Sequence, residues 1–283
     1  MNKKNDEFYI GWMQAAPESF AKHAKKILLV AGLLVVVLAI TLSLQQRKFS
    51  TAIFEYGMLT EVTGIYQSYP VPSLKVFSKT DANGKQELIT MPLVGYGKFG
   101  AAGIIAKLEQ QKGFSFHQHQ VTLKGTLIYS DGKSLLQIDE HDQPLVAVQT
   151  HISTVRPLIK ELGSTDLIGE ILDPKCYFGV MKPGRGKPHK DCAIRCIAGG
   201  ISPVFYVRRR DAGPFYYLLL NEKGKPLNEF VQDYVADPVK LHARAVQYDD
   251  WIVLYVDTKA KLQRTGGLSW FKENEELIFC NPQ

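Results

Sequence analysis

The chain has 283 residues, a formal net charge of +6 and four cysteines, with no low-complexity tract. Residues 1–48 carry seven bases and three acids, and the rest of the chain carries 27 bases and 25 acids. Nucleic-acid binding needs a basic face on a folded domain, so a charge excess that lies mostly in the N-terminus argues against nucleic acid as a partner.

Residues 27–44 form an uncharged, apolar run of 18 between Lys25-Lys26 and Arg47-Lys48. A membrane-spanning helix needs roughly 17–25 residues, so the run is just long enough. A cleaved signal peptide fits less well. The apolar stretch is long for one, Asp6, Glu7 and Glu18 precede it, and the flank Gln45-Gln46-Arg47-Lys48 offers no small-residue cleavage site. Residues 27–46 are therefore expected to be an uncleaved signal anchor. Lys3, Lys4, Lys22, Lys25 and Lys26 precede it, and only Arg47 and Lys48 follow closely. That bias puts residues 1–26 in the cytoplasm and the main domain on the periplasmic side of an inner membrane. Tyr9, Trp12 and Phe20 suit the cytoplasmic interface.

The remainder reads as one module used twice. The stretch 121–139 matches 239–257 at an offset of 118: Val121 with Val239, Leu123 with Leu241, Asp131 with Asp249, Leu136 with Leu254, Asp139 with Asp257. Each copy is two alternating strands around an Asp-Gly or Asp-Asp turn. Upstream, Gly64 falls opposite Gly169. Between these landmarks copy one has strands near 74–77 and 88–94 around an Asn83-Gly84 turn, then a helix near 101–111. Copy two has strands near 203–208 and 215–220, then a helix near 227–234. The expected fold class is mainly β (α+β): an N-terminal transmembrane helix followed by two tandem small OB-like β-barrel modules. The boundaries are 47–140 for the first module, 141–164 for a linker with a short helix near 156–162, 165–258 for the second module, and 259–283 for a tail. The second module carries an insertion at 173–200 where the first has only residues 66–73.

That insertion concentrates the reactive side chains. It holds Cys176, Cys192 and Cys196, together with Met181, His189 and the bases Lys182, Arg185, Lys187 and Lys190. If 190–198 is a helix ended by Gly199-Gly200, His189, Cys192 and Cys196 fall at i, i+3 and i+7 on one stripe. Exported thiols oxidise and an even number of cysteines is expected to pair, so disulfides are the leading expectation. Cys176 would bridge to Cys192 or Cys196, with Cys280 in the tail taking the remaining thiol. The alternative is a soft-metal site of Cys176, Met181, His189, Cys192 and Cys196, with copper(I) the first choice and zinc the second. A redox-active thiol pair is the third reading. The four bases are expected in an exposed loop that receives an anion or an acidic partner.

The pattern Gly169-Glu-Ile-x-Asp-x-Lys-Cys-Tyr-x-Gly-x-Met-Lys-Pro-Gly-x-Gly-Lys-x-His-x-x-Cys-Ala-x-x-Cys-x-x-Gly-Gly-Ile-x-Pro203 resembles that of an uncharacterised group of bacterial membrane-anchored proteins. It is more loosely similar to small secreted OB-like domains with Asp-x-x-Cys, then His, then Cys-x3-Cys. The resemblance covers about 35 residues and implies location and fold. It also implies that Cys176, His189, Cys192 and Cys196 act together, and it leaves Cys280 outside the motif.

Other signals are weaker. Gly95-Tyr-Gly-Lys-Phe-Gly100 has dinucleotide-fingerprint spacing. It lacks the later acid and the further βα units such a site needs, so it reads as a turn before a helix. His117 and His119 share a strand face and read as an exposed edge pair. No hydrolase or metalloprotease signature and no phosphate-cradling loop is present. The expected function is that of a non-enzymatic, exported, membrane-anchored protein. It would bind a protein partner or ligand through the basic, cysteine-bearing loop, as an accessory of an envelope or respiratory complex, with no resident cofactor. Copper or zinc binding, or thiol redox chemistry, is the alternative.

Overall fold

The computed structural model describes residues 16–46, 52–80, 86–140, 143–153, 155–209, 213–259 and 262–266. Cys280, the Asn83-Gly84 turn, residues 1–15 and the tail beyond 266 lie outside the described residues. The chain divides into two compact units, residues 1–50 and 51–283.

The first unit is helix α1, Glu18–Gln46. Within its stretch Phe20–Gln45, the most apolar 18-residue window has a mean hydropathy of 3.0. Ile27, Leu28, Leu29 and Leu33 are each more than 60% exposed. The helix is apolar and packs no face against the rest of the described residues. Its 26 residues rise about 39 Å at 1.5 Å each, enough for a hydrocarbon core of about 30 Å. By length and composition it can cross a membrane, and a signal sequence has the same character.

The second unit is mainly β. Its first sheet contains β1 (Ile53–Phe54), β2 (Thr60–Gln67), β3 (Ser73–Thr80), β4 (Gln86–Val94), β5 (His119–Ser130), β6 (Lys133–Ile138) and β7 (Leu145–Ile152), with α2 (Ala102–Lys112) between β4 and β5. Strands β2, β3, β4, β6 and β5 pair in that order and β5 pairs back to β2, closing a five-strand barrel. The β4–β6 contact is parallel and the others antiparallel. Strand β5 alternates buried and half-buried residues, the period-2 pattern of a strand with one face inward. Asp131 and Gly132, both at positive φ, make the tight β5–β6 turn.

The second sheet is built from β8 (Ile159–Leu172), β9 (Val204–Arg209), β10 (Gly213–Asn221), β11 (Pro238–Tyr248), β12 (Trp251–Val256) and the short β13 (Gln263–Arg264). Here β8–β9–β10–β12–β11 pair in sequence, β11 pairs back to β8, and β10–β12 is parallel. The registers match at the offset seen in the sequence. Gly64 faces Val121 as Gly169 faces Val239, and Leu127 faces Leu136 as Ala245 faces Leu254. Both glycines are required by close approach. A Cβ at Gly64 would strike the Lys75 carbonyl, and one at Gly169 the Tyr206 carbonyl and the Phe205 ring.

Residues 145–152 and 159–164, expected as linker, are strand. The helix expected near 156–162 is the start of β8, where Ile159 pairs with Tyr248 and Glu161 with Val246. Tertiary pairing overrides the local pattern there. Strand β7 has mostly exposed side chains, so it carries no alternating signal. In the second copy the helix is shorter than expected: α4 (Asn228–Val231), then a 3-10 turn, Gln232–Tyr234.

The two sheets share a core. Val71, Val94, Ile128 and Leu135 from the first pack with Leu172, Phe178, Val204, Tyr206, Leu218 and Trp251 from the second. Polar contacts cross beside it. The Trp251 indole N–H donates to the Thr90 carbonyl at 3.0 Å, and the Tyr216 hydroxyl donates to Asp131 at 2.6 Å. Lys75, 1% exposed, pairs with Asp249 at 2.7 Å.

Candidate metal centre

The insertion is folded into this shared core rather than looped out. Asp173 ends β8 and turns the chain: its carboxylate accepts the Lys175 N–H at 2.9 Å and the Cys176 N–H at 3.4 Å. A π-helical turn, Cys176–Val180, follows. It lies so close to the first sheet that a Cβ at Gly179 would crowd Ile128 and Phe54. A 3-10 turn, Lys187–His189, leads into α3 (Lys190–Ala198). Gly199-Gly200 ends that helix, with Gly200 at φ +98°. Ala193 and Ile197 bury one side of α3 in the core of the second sheet. Cys196 and Cys176 join the core shared by the two sheets.

This packing brings Cys176, Cys192 and Cys196 together, with all three sulfurs within 4.8 Å of one another. The Cys176 Sγ lies 3.8 Å from that of Cys192 and 4.0 Å from that of Cys196. The disulfides expected of these residues are not formed. An S–S bond is about 2.05 Å long, and Cys176 faces two sulfurs at similar distance rather than one. Ligands around a metal at about 2.3 Å would have S···S separations of about 3.8 Å in a tetrahedron and about 4.0 Å in a trigonal plane. At this spacing the three sulfurs could hold a metal ion.

His189 belongs to a second group that shares only Cys176 with the first. Donor atoms of Asp173, Cys176 and His189 also lie within 4.8 Å of one another. His189 is 1% exposed, and neither ring nitrogen has a hydrogen-bond partner among the described residues. Burial holds its pKa below the usual histidine value, which favours the neutral, ligating imidazole. A hydrogen bond to the Cys196 sulfur, then burial and Asp173, push the Cys176 thiol up. A metal would have to displace that proton on binding. The Asp173, Cys176, His189 trio also has the residue types of a nucleophilic triad. Its members are 0%, 6% and 1% exposed, and His189 makes no bond that would orient it as a base.

Two lysines complete the surroundings, and sequence reasoning singled out neither. The Lys98 ammonium donates to the Cys192 sulfur at 2.9 Å and lies 3.9 Å from that of Cys196. The bond to Cys192 raises the Lys98 pKa, so it stays charged. Lys175 is buried and donates to the carbonyls of Gly95 and Gly97 at 2.7 and 2.6 Å. Burial lowers its pKa. The glycine-spaced stretch 95–100 is thus a turn that leads to α2 and holds Lys98 against the cysteines. Its Gly100 N–H donates to the Gly199 carbonyl at 3.0 Å, and a Cβ at Gly199 would collide with the Lys98 carbonyl.

Met181 is 36% exposed, with its backbone N–H bonded to the Cys176 carbonyl. The four bases expected in one exposed loop have separate surroundings. Lys190 pairs with Asp237 at 3.0 Å, and the Arg185 guanidinium lies over the Tyr206 ring at 5.7 Å. Lys182 and Lys187 are exposed. His117 and His119 do not form a pair. His117 bonds Ser68, while His119 is buried against Phe114 and bonds the Gln149 carbonyl.

Glu170, 3% exposed, supports the insertion by accepting the Gly186 N–H. Burial raises its pKa. A carboxyl that holds its proton to higher pH in the folded than in the unfolded state loses stability as pH rises between the two values. Glu170→Gln keeps the acceptor oxygen. It is expected to raise the melting temperature at neutral pH and to flatten its fall from mildly acidic to neutral pH. A series of melts against pH checks this, and unchanged slopes would contradict it.

No family model, curated protein or solved structure matches this chain.

Proposed function

We propose that this protein is a membrane-anchored, non-enzymatic holder of one soft metal ion, copper(I) or zinc, outside the cytoplasm. One observation carries the reading: three sulfurs at metal-ligand spacing beside a buried imidazole with no hydrogen-bond partner. Cys176, Cys192 and Cys196 are the primary ligands and His189 the fourth. Thiolate and imidazole donors suit both ions. The apolar helix and the lysines before it support an anchor with its N-terminus in the cytoplasm and the metal site in the periplasm. The matching pairing order and register support two tandem OB-like modules of duplicated origin. In this reading only the second module carries the site.

A second reading is a thiol-redox protein, favoured by the two S···S approaches within 4.0 Å. A third, docking of a protein partner, draws on the exposed side chains of Met181, Lys182 and Lys187. One experiment separates the first two. Full-length protein is purified in detergent without chelators, its metal is measured, and its thiols are alkylated before and after metal removal. The expected result is about one equivalent of copper or zinc, with Cys176, Cys192 and Cys196 labelled only after the metal is stripped. Metal-free protein with Cys176 disulfide-bonded to Cys192 or Cys196 would favour redox chemistry.

A further inference from the structure

The three thiols are not equivalent. Cys176 is 6% exposed and Cys196 1%, whereas Cys192 is only half-buried. Cys192 also makes the shorter of the two sulfur contacts to Lys98, 2.9 Å against 3.9 Å for Cys196. Lys98 comes from the other barrel, on a turn whose backbone is pinned at Gly95, Gly97 and Gly100. Its neighbours Tyr96 and Phe99 are 42% and 62% exposed. A charge donor is therefore held against the sulfur of the least buried of the three cysteines.

We infer that the metal leaves and enters the site through Cys192, with Lys98 holding the Cys192 thiolate while it is off the metal, so that the site passes its ion to thiol-bearing acceptors. The inference rests on the metal-holding reading above. The exchange balances without redox chemistry. An incoming thiol gives its proton to solvent and binds the metal as thiolate. The metal–Cys192 bond breaks with its electron pair staying on sulfur, the metal keeps its oxidation state, and the freed thiolate pairs with the Lys98 ammonium. A thiolate left without that partner in a half-buried position would be costly. A purely structural site would have no use for an accessible ligand, since structural metal sites are closed.

The test uses full-length, zinc-loaded protein in detergent micelles, mixed with excess of a small dithiol as acceptor, with zinc release followed over time. Lys98→Met is expected to slow release by about ten- to a hundredfold, the worth of a hydrogen bond to a charged group, while the equilibrium affinity for zinc changes far less. Lys98→Arg, which keeps the charge, is expected to restore most of the rate. A merely structural role for Lys98 would move affinity and rate together, and that result would overturn the inference. So would equal release rates in wild type and Lys98→Met. A wild type that takes up no zinc and no copper would overturn the metal-holding reading along with it.

Discussion

In the metal-holding reading proposed above, Cys196→Ser is expected to empty the site. The residue is 1% exposed and sits in the shared core on α3, its sulfur 4.0 Å from that of Cys176. No outside ligand can take its place there. Structural zinc in small peptides is worth about 10–16 kcal/mol over its whole ligand set, so removing one thiolate should weaken binding by at least about a hundredfold. Metal analysis of the purified variant should find it empty under conditions that leave the wild type loaded. Cys192→Ser, at the rim, is expected to bind more weakly yet keep measurable metal, because water can occupy the position it vacates. Stability gives an independent readout. A ligand present at a thousand times its dissociation constant stabilises by about 4 kcal/mol. Adding a chelator should therefore lower the wild-type melting temperature and leave that of Cys196→Ser unchanged. A Cys196→Ser protein holding as much metal as the wild type would remove this sulfur from the site.

Much of the scaffold was legible because β-structure writes its period into the chain. The alternation in 121–139 and 239–257, the Asp131-Gly132 turn and the helix between Lys190 and the Gly199-Gly200 pair are local signals, and each appears where local physics puts it. The site was legible in its composition but not in its state. Spacing shows that Cys192 and Cys196 share a helix. It does not show that the turn at Cys176 brings a third sulfur about equally near both, which is why a bridge looked the better expectation. Lys98 was not legible at all. It lies 94 positions from Cys192 and reaches it only because the two sheets pack with Gly100 against Gly199. The stretch 145–164 failed for the opposite reason. Its strands are exposed on both faces or paired over a long distance, so no local pattern marks them.

Asp249→Asn is expected to be among the most destabilising single changes outside the metal centre. The turns Asp131-Gly132 and Asp249-Asp250 correspond in the two copies, and each reaches across to the other barrel. Asp131 accepts the Tyr216 hydroxyl at 2.6 Å, and Asp249 forms an ion pair with the Lys75 ammonium at 2.7 Å. The second contact is the more consequential because Lys75 is charged and 1% exposed. Asparagine tolerates the positive φ at position 249 and can still accept the Leu158 N–H that Asp249 accepts at 2.8 Å. The substitution therefore isolates the lost charge. Breaking a buried pair by removing one partner costs about 3–5 kcal/mol, because the other charge stays buried and uncompensated. For a folded unit of this size that corresponds to a fall in melting temperature of about 10 °C. Lys75→Met alone is expected to cost less, since Asp249 keeps its backbone partner and its side chain is 15% exposed. The double variant should recover most of the loss, because replacing both charges of a buried pair is often close to neutral. Thermal melts of the four proteins, followed by the near-ultraviolet signal of buried Trp251, close the cycle. An Asp249→Asn variant that melts with the wild type would mean that Lys75 finds another acceptor and that this ion pair does not hold the barrels together. The turn that delivers Lys98 to Cys192 would then depend on the apolar core and the Gly100–Gly199 contact instead.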